Sequence, residues 1–367
     1  MITMVNYTVR PPAARSKGKQ KCAFVRFLMS IFPVKGDEAA EVVRKIVFIG
    51  AVIAFAITGG SLIKDVSGEI VQKYVVEGQI QDIKQQASSG NLNLNEEEIK
   101  EIKEEKPYLR EELMSLYAIN RDLVGWINLG ENDRIIDYPV VQTTDNDKYL
   151  TTDFYGNYSK SGTIFVDYRS KFSEGGDATD FLVLYGHNTY SSVAFSKLTR
   201  YFYDKDNQDP NADLNLSFYQ KHPTINFDTL AEEGTYKVFA VCLFNTEEQY
   251  GEVYNYLRKG KLFNDKDDFN NYVLDIMDRS VLFTDVDLTY GDEIICMSTC
   301  YFPFGMDYEN VRCVIFARKV RDGESPEVDT SKAYRNYYWM GWQQAVDRNI
   351  CSAYAKRAWD TSKLLSY

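Results

Sequence analysis

Histidine is nearly missing from this chain: two residues, His187 and His222, among 367. Few partners are therefore available to activate a thiol. The C-x3-C spacing of Cys296 and Cys300 has no histidine near it in sequence and is not a zinc pattern. The acidic clusters at 204–208 and 264–268 are too loose for a dedicated calcium loop, so neither a metal nor another cofactor is expected. Internal repeats and low-complexity tracts are absent as well. Basic residues are outnumbered, 42 against 53, for a net charge of −11. Phosphate contacts need a basic face, so nucleic-acid binding is excluded. Disorder is excluded too, because 44% of the residues are hydrophobic and the chain holds 27 Tyr and 21 Phe. A chain of this length buries a full core.

What is present begins with one long apolar run. Ile46 to Ile63 is 18 residues without a charge, just enough to cross ~30 Å of hydrocarbon as a helix. A buried core helix would show a polar stripe, and this run has none beyond Thr58 and Ser61 near its end. A cleaved signal peptide would be followed by a small-residue cleavage site, and none follows. The run reads as an uncleaved signal-anchor. Residues 1–45 carry nine Lys or Arg against three acids, net +6, which leaves −17 on the rest of the chain. The positive-inside bias then keeps 1–45 in the cytoplasm as a basic tail and puts everything after Ile63 outside the cell membrane. Five cysteines fall outside, an odd number, so at least one thiol is free or pairs between chains.

Residues 64–106, polar and ending in NEEEIKEIKEEK, predict a solvated helical stalk. Pro107 suits the first turn of a new helix. Leu109, Leu113, Leu116 and Tyr117 then share a face meant to dock on a globular body. From Val124 the pattern becomes short β-type runs: GWINL, DYPVVQ, GTIFVDY, DFLVLYG, TINFDTL, TYKVFAVCLF, EIICMST and RCVIFARKV. Gly, Asn, Asp and Pro punctuate them. So many short strands with few helices between them predict a mainly β, closed or sandwich-like architecture. SSVAFSKLTRYF predicts a short helix inside a long loop at 188–221. Residues 262–280 predict a helix with Phe269, Tyr272, Val273 and Ile276 on one face.

Chemistry gathers at strand ends. His222 precedes Pro223 and reads as structural. His187 follows DFLVLYG beside a glycine, where a side chain reaches a cleft. Cys300 ends EIICMSTC, sharing a face with Cys296 and Ser298 on a period-two count. As a lone residue it is equally a nucleophile, half of a disulfide or a buried small hydrophobe. Hairpin pairing with VRCVIFARK would bring Arg312 across from it. Thiolate as nucleophile, imidazole as proton carrier and guanidinium as oxyanion donor make a coherent site.

INRDLVGWINL (119–129), IDYPVVQTTDNDKYLTTDFYGNYSKSGTIFVDY (136–168), YGHN (185–188), STC (298–300) and NVRCVIFARK (310–319) stand in an order that resembles the class B sortases, membrane-anchored cysteine transpeptidases of Gram-positive cell surfaces. The resemblance implies a sortase-type eight-stranded β-barrel over 107–320. It would have N-terminal helices, a helix between the sixth and seventh strands, and a C-terminal helical extension over 321–367. It also implies roles. Cys300 would attack the Thr carbonyl of an LPxTG- or NPxTx-like sorting signal and form a thioacyl intermediate. His187 would protonate the leaving amine and then deprotonate the incoming one, and Arg312 would hold the oxyanion. Asn146, Leu150 and Ser298 fall where the family contacts the sorting peptide, and Tyr272 on the inserted helix would add to that groove. The acceptor would be an amine of peptidoglycan precursor or of a pilin. The family usually shows T-L-x-T-C before the nucleophile. Here Cys296 and Met297 fill the first two places, so Cys296 either pairs with Cys300 under oxidation or simply fills space. A second reading keeps the barrel but makes it a catalytically silent peptide-binding domain. A cell-wall endopeptidase fits less well, since such enzymes place the Cys at a helix start rather than a strand end.

Overall fold

A computed structural model describes residues 23–88, 94–130, 135–172, 181–189, 192–204, 207, 216–248, 253–258, 263–301, 311–336 and 363. It divides into two compact units, 1–68 and 69–367. In the first, helix α1 (Ala23–Ile31) is followed by a turn and the start of helix α2 (Ala39–Ser88). Lys45 ties that turn down: its ammonium donates to the Met29 carbonyl at 2.7 Å and to Asp37 at 2.8 Å. Ile46, Phe55, Ile57 and Ile63 are exposed along α2. α2 is the one described helix long and apolar enough to cross a membrane.

The eight β-type runs each become a strand of one closed barrel. They are β1 (Leu123–Leu129), β2 (Ile136–Val141), β3 (Ile164–Val166), β4 (Phe181–Tyr185), β5 (Thr224–Thr229), β6 (Thr235–Asn245), β8 (Ile294–Tyr301) and β9 (Val311–Lys319), closed in the order β1-β2-β3-β4-β8-β9-β6-β5. β7 (Leu282–Phe283) lies outside the barrel and pairs with β10 (Tyr334–Arg335). Alternation sorts the side chains. Leu184, Ile295, Met297 and Ile315 fill the interior, while Val183, Cys296, Val314 and Phe316 form a second cluster on the opposite face. Burial on both faces explains why β8 and β9 read as near-continuous apolar runs. Gly125 in β1 is required by closure: a Cβ there would lie 2.2 Å from the Asp228 carbonyl oxygen.

Helix α6 (Lys266–Arg279) covers that second face. Asp265 caps it by accepting from the Asp268 N–H at 2.8 Å. Phe269, Tyr272, Val273 and Ile276 are all buried, as their spacing predicts. SSVAFSKLTRYF contributes a 3-10 helix at Ser196–Tyr201, and the short helix α5 (Ser217–Lys221) precedes β5.

Two expectations at the flanks change. The stalk is not solvated throughout, because Ile83 of α2 and Ile102 of helix α3 (Glu96–Glu105) are both 0% exposed. They join Leu109, Leu113, Leu116 and Tyr117 in one cluster with Leu123, Val141 and Phe165 of the barrel. Gln79 also donates to Asp153 at 2.8 Å. Isolated apolar residues in a charged helix look like noise in sequence, and a complementary surface makes them a docking face. The helix after Pro107 starts later than expected, as a 3-10 turn at Glu111–Leu113 leading into α4 (Met114–Ile119). Beyond β9, residues 321–336 form a turn, a 3-10 turn and β10. The rest of the expected helical extension over 321–367, residues 337–362 and 364–367, lies outside the described residues.

The turn after β9 is held by charge. Arg318 is 1% exposed and donates to the Asp287 carbonyl at 2.7 Å and to both Glu324 oxygens at 2.6 and 2.7 Å. Lys237 reaches Glu324 at 2.6 Å. Removing one partner of a buried ion pair strands the other charge. Glu324→Ala is expected to cost about 3 kcal/mol of unfolding free energy, read as a lower urea midpoint at unchanged m-value. The Arg318 guanidinium holds the Glu324 carboxyl well below its ordinary 4.5. A depressed carboxyl stabilises the fold above its unfolded value, so this contribution fades as pH drops below about 4.5 and is missing from the variant.

Candidate active site

Cys300 is the penultimate residue of β8 and is half-buried. β8 and β9 form the expected antiparallel pair, and its register sets Cys300 directly across from Arg312. On its other side Arg312 pairs with Phe244 of β6. Among the described residues the Arg312 guanidinium has no carboxylate partner, and its one hydrogen bond is a long 3.4 Å contact to the Val311 carbonyl. In a domain with a large excess of acids, an uncommitted guanidinium fork is available to a ligand.

β4 runs parallel to β8 in a constant register from Phe181↔Ile294 to Tyr185↔Ser298. Two residues further along that register come His187 and Cys300. Contacts continue past the ladder: Gly186 N–H to Ser298 O at 3.4 Å, Thr299 Oγ1 to Gly186 O at 2.7 Å, and Asn188 Nδ2 to Cys300 O at 2.8 Å. His187 Nε2 lies 2.8 Å from the Leu150 carbonyl oxygen. A carbonyl only accepts, so Nε2 carries the proton of that bond.

The remaining sequence-derived residues sit in two places. Leu150 is 37% exposed at the end of the 3-10 turn Lys148–Leu150, beside the imidazole it binds through its carbonyl. Asn146 belongs to the same loop, but its side chain is committed. Its Nδ2 donates to Asp167 at 3.0 Å and its Oδ1 accepts from the Tyr168 N–H at 3.0 Å. Asp167 also accepts from the Tyr185 hydroxyl at 3.0 Å and from Arg169 Nε at 2.7 Å. Burial opposes ionisation of Asp167, and the Arg169 and Asn146 donors outweigh it, so its carboxyl stays below the ordinary range. Ser298 is buried in β8, and Tyr272 is buried on the inner face of α6.

Tyr256 links those two, and local sequence pattern does not single it out. Its hydroxyl lies 2.9 Å from Ser298 Oγ, and its carbonyl accepts from the Tyr272 hydroxyl at 2.7 Å. Its ring stacks on Phe244, the cross-strand neighbour of Arg312, at 4.7 Å. Burial pushes the Tyr256 hydroxyl well above its ordinary value, so it stays neutral beside Ser298. Tyr272 thus holds Tyr256, which packs on Ser298 and Phe244.

Cys296 is 0% exposed, and burial pushes its thiol far up. Four residues along one strand separate it from Cys300 by about 13 Å, too far for a disulfide, which needs Cα atoms within about 7 Å. The four described cysteines outside the first unit, Cys242, Cys296, Cys300 and Cys313, are all free. Cys300 alone among them is not buried.

No protein-family model matches the chain. Sortase B of Listeria monocytogenes is 31% identical over 216 residues, 58% of this chain and 75% of that protein. Sortase B of Staphylococcus aureus is 31% identical over 193 residues, 53% of this chain and 69% of that protein. Among solved structures, a Staphylococcus aureus sortase B–substrate complex has 27% identity and a TM-score of 0.47, covering 61% of this chain and 91% of that one. The family assignment rests on the two sequence relatives, each matched across more than two thirds of its own length. Their agreement is with the chain whose only half-buried described thiol ends a barrel strand opposite an unpaired arginine: it belongs to the class B sortases, a family of transpeptidases.

Proposed function

We propose that the protein cleaves an exported protein at the Thr of a C-terminal sorting signal of LPxTG or NPxTx type, by attack of Cys300 on the Thr carbonyl. The C–N bond breaks, a thioacyl bond to the sulfur holds the protein, and His187 delivers the proton to the departing amine. An amine of peptidoglycan precursor or of a pilin then attacks the thioester. His187 takes its proton and the sulfur leaves as thiolate. Arg312 carries the negative charge that builds on the carbonyl oxygen in both halves. Asn146, Leu150 and Ser298 line the path of the peptide, with Tyr272 acting through Tyr256.

One observation supports this reading: Cys300 and Arg312 face each other across β8 and β9, and His187 follows β4 two residues past its last parallel pairing with β8, Tyr185↔Ser298. Residues bound to one sheet move little relative to each other, which is what acyl transfer through a short-lived tetrahedral species requires. The apolar stretch of α2 supports a single membrane span, with the basic tail inside and the barrel outside. That arrangement would keep the enzyme where exported substrates emerge.

The decisive experiment incubates the protein with a peptide carrying a sorting signal and follows Cys300 by mass spectrometry. The expected species is an adduct heavier by the acyl fragment up to and including Thr, discharged by an added amine to the transpeptidation product. An intact peptide bound without any adduct would overturn the reading.

A further inference from the structure

The loop that carries His187 is fastened to the strand that carries Cys300, and the last fastening is one side chain. The β4–β8 ladder ends at Tyr185↔Ser298. Beyond it, the Asn188 carboxamide donates to the Cys300 carbonyl at 2.8 Å. The described residues behind Asn188 are held by contacts of their own. Asn188 bridges to Ala194, and the Phe195 N–H donates to the His187 carbonyl at 3.1 Å. Ser192 and Ala194 sit at φ of +60° and +51°, conformations that non-glycine residues keep only where the surroundings enforce them. Phe195 is fully buried against Gly186, where a Cβ would come within 2.7 Å of its ring. His187 therefore rides on a braced loop whose side-chain tie to the nucleophile's own residue is the Asn188 amide.

We propose that Asn188 is a positioning residue for transpeptidation: by clipping the Cys300 carbonyl it sets the spacing between the imidazole on the preceding residue and the thiol on the neighbouring strand. The inference rests on the reading that Cys300 and His187 are the reacting pair. Its chemical content is the direction of the bond. The carbonyl needs a donor, which an amide supplies and an ionised carboxylate of the same shape does not.

Asn188→Asp keeps the volume and turns the contact into two facing acceptors, whereas Asn188→Ala removes it and leaves a gap. In Asn188→Ala, kcat for a sorting peptide should fall about 10- to 100-fold, with KM and the thermal midpoint close to those of the parent. Asn188→Asp should fall further, and Asn188→Gln, which keeps a donor on a longer arm, should recover part of the rate. Alkylation of Cys300 by iodoacetamide at pH 7, located by mass spectrometry, should slow in the same order. A space-filling role predicts the reverse ranking, with Asp the milder change. The proposal is overturned if Asp matches or exceeds Ala, or if both stay within twofold of the parent in both assays. Alkylation uses no sorting peptide. An Asn188-dependent alkylation rate without any acyl adduct would fail the transpeptidase reading alone, and normal transpeptidation by the variants would fail only the role of Asn188.

Discussion

Cys300→Ala is expected to abolish turnover of every sorting peptide, a loss of about 10⁵-fold or more. The reaction proposed for this barrel passes through a bond to sulfur, and the other described thiols cannot replace it. Cys242, Cys296 and Cys313 are buried and fully enclosed. Burial pushes all three thiols up, disfavouring the thiolate that attacks. The substitution should leave the fold alone, because Cys300 is half-buried at a strand end and its carbonyl, which takes the Asn188 bond, is retained. Urea unfolding should shift by less than about 1 kcal/mol. The variant should still bind the peptide, so a binding isotherm separates lost chemistry from lost recognition. Turnover persisting at a percent of the parent rate would remove the sulfur from the mechanism.

Arg312→Ala should lower kcat by about 10²- to 10³-fold with a smaller change in KM, the magnitude typical of losing a principal oxyanion donor. The argument is geometric. The strand pairings fix its backbone opposite Cys300 on one side and Phe244 on the other. Among the described residues no carboxylate neutralises it. Charge that develops only in the proposed tetrahedral species would then meet a donor already in place. Arg312→Lys should restore part of the rate only, since an ammonium keeps the charge but loses the planar fork. A single-turnover acylation measurement locates the defect. An unchanged acylation rate in Arg312→Ala would assign the guanidinium to structure.

Local pattern carried a large share of this architecture. Period-two alternation and turn residues located all eight barrel strands, because each must bury at least one face and be closed by a turn. The β8–β9 pairing was legible for the same reason: two apolar runs adjacent in sequence, with nine residues between them, most readily pair with each other. Those two facts already set Cys300 against Arg312. The apolar face of α6 was equally plain, since its residues recur at helical spacing.

Neighbourhood between distant segments was not legible. That β4 lies beside β8, at a separation of more than one hundred residues, depends on how the sheet closes, and no short-range signal encodes it. Yet this parallel pairing is what brings His187 and Asn188 to Cys300. Tyr256 went unseen because it sits in an irregular segment whose meaning comes from Ser298 beneath it and Phe244 beside it. Ile83 and Ile102 read as incidental in charged helices until the barrel offered them a surface. Covalent order and periodicity decided which residues form strands and helices and which side chains are chemically able; burial and long-range register, properties of the closed barrel as a whole, decided which of them meet.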